Sequence, residues 1–141
     1  MWWKITESKT MRILVCGGRD FINWKLLCGE LDDRLVSTTQ EECEKFHIIQ
    51  GGATGADFLA KVWAYDSFPY SFESRHTEFI ADWKKHGSQA GPIRNQQMID
   101  EGKPDLVVAF PTPKSKGTWD MIRRAKKAGI ETIVVKHEQN S

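Results

Sequence analysis

Twice in this chain a short apolar run ends on a glycine-rich turn that opens a helical pattern. The first is Ile13-Leu14-Val15-Cys16-Gly17-Gly18-Arg19-Asp20, and the second is Ile48-Ile49-Gln50-Gly51-Gly52-Ala53-Thr54-Gly55-Ala56-Asp57. A strand that passes directly into a helix is the unit of a parallel sheet, whose strands read as near-continuous apolar runs because helices cover both faces. Glycine lets backbone N–H groups approach an anion closely, and a helix starting there adds the positive end of its dipole. A third candidate turn runs from Phe110-Pro111 to Gly117-Thr118. The recurrence predicts one shared pocket for a phosphorylated, nucleotide-type ligand.

The remainder keeps the same alternation. Apolar runs suited to buried strands lie at 12–16, 46–50, 105–110 and 131–136, with a weaker fifth at 70–74. Between them, Trp24, Leu27, Cys28, Leu31 and Leu35 recur at helical offsets behind Asn23 as N-cap, and Phe58, Leu59, Val62 and Trp63 follow suit. A third helix is expected from Gly91, with Pro92 at its first position, toward Glu101, where Gly102 and Pro104 stop it. The last helix is expected over 118–128, closed by Gly129. The pattern predicts a single three-layer α/β domain over 11–141 with a parallel sheet of about five strands. Residues 1–10 read as an appendage and 37–45 as a surface connection. Ligands of such sheets bind beyond the carboxyl ends of the strands, where the glycine turns fall.

Composition narrows the partners. The chain has 141 residues, 40% of them hydrophobic, enough for one sizeable core. A formal net charge of +1 gives no general pull on a nucleic-acid backbone. No stretch approaches the roughly 20 apolar residues that span a bilayer. Met1-Trp2-Trp3-Lys4 lacks a secretory apolar run, so a cytoplasmic location is expected. Cys16, Cys28 and Cys43 are odd in number without Cys-x-x-Cys spacing and read as reduced thiols. His47, His76, His86 and His137 show no ligand spacing, so no metal is expected.

Neither glycine turn follows the dinucleotide pattern or the P-loop. Arg19 is suited to pair with phosphate as a fork, and Thr54 to donate a hydroxyl. Asp20 and Asp57 cannot hold phosphate; they suit ribose hydroxyls or acid/base work, or they cap helices. Trp83 either stacks a base or packs against the sheet edge. Arg94 near a helix N-terminus opposes the dipole unless an anion is bound there. His86 reads as an acid/base or a turn residue, and Arg123-Arg124 with Lys126-Lys127 as a solvated helix face.

Five blocks together carry a family resemblance: Val-Cys-Gly-Gly-Arg-Asp-Phe (15–21), Gly-Gly-Ala-Thr-Gly-Ala-Asp (51–57), Ala-Asp-Trp-x-x-His-Gly (81–87), Ala-Gly-Pro-Ile-Arg-Asn (90–95) and Pro-Asp-Leu-Val-Val-Ala-Phe-Pro (104–111). The chain resembles the YspA-type branch of the SLOG superfamily, Rossmann-like relatives of DprA and of Lonely Guy enzymes. The resemblance implies strand order 3-2-1-4-5 and a nucleotide or nucleotide-derived ligand, such as an ADP-ribose-like or cyclic signal. It also implies a sensor or sequestering role, since many relatives belong to phage and bacterial conflict systems. A homodimer or higher homo-oligomer is implied, and no separate cofactor.

The ligand-binding residues expected on this basis are Gly17, Gly18, Arg19 and Asp20 in the first turn and Gly51, Gly52, Thr54, Gly55 and Asp57 in the second. Trp83, Arg94, Asn95, Pro111, Gly117 and Thr118 complete the set. Lonely Guy enzymes cleave the N-glycosidic bond of nucleoside monophosphates, and their Arg-x-x-x-Met element is similar to Arg94 through Met98. Their Pro-Gly-Gly-x-Gly-Thr-x-x-Glu element is matched only by Pro111, Gly117 and Thr118; Met121 stands at the glutamate position, with Asp120 beside it. A hydrolase using Arg94 and Asp120 is therefore the alternative expectation. A DprA-like nucleic-acid-handling role is a second alternative, against which the balanced charge argues.

Overall fold

Alternating side chains on the central strands divide the apolar residues between two faces, and each face is covered by its own pair of helices. A computed structural model describes residues 11–36 and 45–137. The expected appendage, Cys43 and nearly all of the expected 37–45 connection lie outside the described residues. Strand β1 (Arg12–Gly17) leads to α1 (Trp24–Val36), and β2 (His47–Gln50) to α2 (Ala56–Ser67). After β3 (His76–Glu78) come the single turn α3 (Trp83–His86) and α4 (Ala90–Asp100). Strand β4 (Leu106–Phe110), helix α5 (Lys116–Lys127) and β5 (Glu131–Val134) follow. All pairings are parallel, in the order β3-β2-β1-β4-β5. This is the Rossmann-like α/β arrangement expected.

Ile13, Val15, Ile48, Val108 and Phe110 pack with Leu27 and Leu31 of α1 and with Ala60 and Trp63 of α2. Leu14, Ile49, Val107 and Ala109 pack on the opposite face with Met98 of α4 and with Met121 and Ala125 of α5. At the start of α1, Asn23 caps as expected, its Oδ1 accepting from the Leu26 N–H at 3.1 Å. Gly129, at φ 76°, ends α5: its N–H bonds Lys126 O and the Ile130 N–H reaches Ala125 O, the double closure that a left-handed residue permits.

Several expected boundaries and faces are corrected. The fifth strand lies at His76–Glu78, not at 70–74, where Phe72–Ser74 form a 3-10 turn. An edge strand of three half-buried polar residues has no apolar run to announce it. Helix α4 begins at Ala90, so Pro92 is the third helical residue; its missing N–H is still one that a first turn leaves unpaired. Helix α5 begins two residues earlier than expected, at Lys116. The inner face of α2 is built from Ala56, Ala60, Trp63 and Ala64, while Phe58 is exposed. Trp24 likewise remains at the surface.

Candidate functional site

The two glycine turns are locked to each other. Gly18 O accepts hydrogen bonds from the Phe21 N–H at 3.1 Å and from the Ala56 N–H at 3.3 Å, and the Gly18 N–H donates to Phe110 O at 3.1 Å. Thr54 Oγ1 donates to Arg19 O at 3.2 Å. Gly55 has φ 76°, and a Cβ there would fall on the Gly18 carbonyl oxygen, so the interlock requires glycine. A Cβ on Gly18 would collide with Thr112, whose hydroxyl donates to Asp20 Oδ1 at 2.6 Å.

Asp57 turns back under the second loop. Its Oδ2 accepts from the Gly51 N–H at 3.1 Å and from the Ala53 N–H at 3.3 Å. The Gly52 N–H donates to Gln50 Oε1 at 2.6 Å, so in the 51–55 turn expected to hold phosphate the amides of 51–53 already hold the chain's own oxygens. Arg94, on α4, donates through Nη1 to Gly51 O and through Nε to Asn95 Oδ1. Burial pushes the Asp57 carboxyl up to about 6, against the pull of these amides and of Arg94. Burial lowers the Arg94 pKa, with Asp57 opposing it, and it also raises the Cys16 thiol, which is therefore a poor nucleophile.

Above these loops lies a cleft of about 750 Å³ at the carboxyl ends of β1, β2 and β4. The strand order reverses between β1 and β4, which is the place where open α/β sheets bind ligands. One wall carries Gly17, Arg19, Asp20, Asp57 and Arg94. Trp83, 49% exposed, lines it too, with the Arg19 guanidinium 5.6 Å from the ring centroid.

The facing wall is the start of α5, with Gly117, Thr118 and Asp120, tied to Asn95. Asn95 Nδ2 donates to Gly117 O at 3.1 Å and to Asp120 Oδ2 at 2.9 Å. Arg124 Nε donates to the same Asp120 oxygen at 2.8 Å. Burial alone would raise the Asp120 carboxyl, but the bonds from Arg124 and Asn95 outweigh it and hold it below its ordinary value. The Gly117 N–H, in the first turn of α5, has no acceptor among the described residues.

Gly18, Gly51, Gly52, Thr54, Gly55 and Pro111 do not line the cleft; the first five shape the turns behind its wall. Nor does His86 reach it. The cleft adds residues that sequence reasoning passed over: Cys16, Ala53, Ser88, Gly91, Pro92 and Met98 beside the inner wall, and Lys114, Ser115, Lys116 and Arg123 on the outer one. The signal for the outer wall was helical spacing, since Lys116, Asp120 and Arg123 fall at offsets of four and three. Arg123, expected on a solvated face, thus borders the cleft, and Arg124 turns to Asp120 and Gln96.

Among the described residues no helix is long and apolar enough to cross a membrane, and no group of three His, Cys, Asp or Glu is placed to hold a metal. Residues 11–86 match the family model described as YspA, cpYpsA-related SLOG family. The chain is also similar to the Gene 61 protein of Mycobacterium phage D29, 41% identical over 122 residues, which cover 86% of this chain and 94% of the phage protein. No solved structure matches it.

Proposed function

From the premise that this chain belongs to the YspA, cpYpsA-related SLOG family, we propose that its cleft binds a nucleotide or nucleotide-derived small molecule and holds it intact. The observation that carries the reading is the convergence of Arg19, Arg94, Lys114, Lys116 and Arg123 on one cleft at the sheet's switch point. Phosphate belongs with the outer cations and the open Gly117 amide at the start of α5. Trp83 offers a half-exposed face for the base, and the Asp20–Asp57 wall faces the sugar. A sensor or sequestering protein in phage–host conflict fits this reading, and the phage relative supports that setting.

Binding without turnover is favoured because each carboxylate at the cleft already has work. Asp20 accepts from Thr112, Asp57 from the loop amides and Asp120 from Arg124 and Asn95. Met121, at the position of the Lonely Guy glutamate, is fully buried. The test is to incubate the protein with a panel of nucleotides, NAD, ADP-ribose and cyclic signals, remove the unbound fraction, heat-denature the protein and analyse the supernatant by mass spectrometry. The expected result is one compound depleted by the folded protein and returned unchanged. Conversion to product would replace the binder with a hydrolase and name the bond cleaved.

A further inference from the structure

The two oxygens of Asp57 face different tasks. Oδ2 fills the anion nest made by the Gly51 and Ala53 amides, a concavity of backbone N–H groups that would otherwise suit phosphate. Oδ1 makes no hydrogen bond to another described residue, and it is not one of the buried side-chain atoms left without a partner, so it is open to the cleft that Asp57 lines. A carboxylate oxygen that opens to the cleft without a donor is a ready acceptor, so a ligand that brings a donor gains a charge-assisted hydrogen bond. A ligand phosphate at the same place would have no free amide and would meet a resident negative charge.

The geometry points to Asp57 as the specificity-determining residue of the cleft: it bars an anion from the 51–53 turn and selects a ligand whose end at that wall is an uncharged hydrogen-bond donor, such as a sugar diol. The inference rests on the nucleotide reading for the rest of the cleft. It narrows the ligand to one whose phosphate lies only toward the start of α5. Arg19 and Arg94 then balance Asp57 instead of pairing with a second phosphate.

Sulfate, a tetrahedral dianion, tests this without the natural ligand. The full chain and its Asp57→Ala variant are titrated with sodium sulfate while amide signals are followed by NMR. In the wild type the Gly51 and Ala53 amides should not respond saturably. In Asp57→Ala, which empties the nest but keeps Arg19 and Arg94, the same amides should shift saturably, with sulfate bound roughly tenfold or more tighter than in the wild type. Saturable wild-type shifts at Gly51 and Ala53, or their absence in a folded Asp57→Ala variant, would overturn the inference. If the variant does not fold, the wild-type titration decides alone. A variant response at 51–53 with no response at 116–118 in either protein would uphold the role of Asp57 while counting against the proposed phosphate wall.

Discussion

Asp57 enters the folded state with its carboxyl raised from 3.8 to about 6, because burial outweighs the Ala53 amide, Arg94 and the Gly51 amide. The native chain therefore binds this proton more tightly than the unfolded chain does. Stability consequently falls as pH rises from about 4 to about 6 and stays reduced above, by at most about 3 kcal/mol. Three other groups act in the opposite sense as the solution is acidified. His47 is pushed down to about 4 by burial and by Arg12, burial lowers His76, and Asp120 is held below its ordinary value, so all three lose stabilisation as pH falls. All three persist in Asp57→Asn and cancel in the difference. Urea denaturation of the two proteins should show the wild type losing up to about 3 kcal/mol relative to the variant between pH 4 and pH 7. Parallel curves would show that Asp57 titrates normally. None of this was legible in the chain, where Asp57 read as a ribose ligand, an acid/base or a cap. Its role comes from a carboxylate turning back six residues onto Gly51, a geometry fixed only when α2 docks.

Elements were legible where burial is two-sided and obscure where it is not. Strands β1, β2 and β4 announced themselves because both of their faces are covered. The three polar residues of β3 did not, since that strand is held by ladder bonds and by side-chain pairs such as His47 Nε2 with Thr77 Oγ1 at 2.7 Å. The face of α2 was misread because alanine carries little periodic signal, yet alanine is what lets that helix approach the sheet. The same distinction separates two glycines that looked alike in sequence. Gly55 sits at φ 76° against the Gly18 carbonyl, while a Cβ on Gly117 would meet nothing within 4 Å. Gly55→Ala should cost about 3 kcal/mol or more by combining a strained φ with a backbone collision. Gly117→Ala should stay within about 0.5 kcal/mol of the wild type, on the stable side, because alanine favours the helix. Thermal melts of both variants check this, and equal losses would contradict the interlock of the two turns.

At the scale of the molecule, fold and cleft are one construction. The family match ends at residue 86, yet Arg94, Lys114, Lys116 and Arg123 all come later and carry most of the cleft's positive charge. Strand β4 also comes later, and it pairs with β1 at five positions from Ile13–Leu106 to Gly17–Phe110. Of the ten buried residues on the α4–α5 face of the sheet, only Leu14, Cys16 and Ile49 precede residue 86. A fragment of residues 1–86 would expose those three to water and turn the apolar central strand β1 into an open edge, a template for aggregation. It would also lose the Phe110 carbonyl that anchors the Gly18 amide, loosening the first glycine turn. The fragment should therefore give a collapsed amide NMR spectrum and no cooperative urea transition, whereas the full chain should melt in one step. A dispersed spectrum from the fragment would mean that the glycine turns form a unit of their own. A single transition of the full chain would tie recognition to folding: a ligand clasped between the first half and α5 would have to be released before either half could unfold. At 100 times its dissociation constant such a ligand adds about 2.7 kcal/mol to the stability of the whole domain.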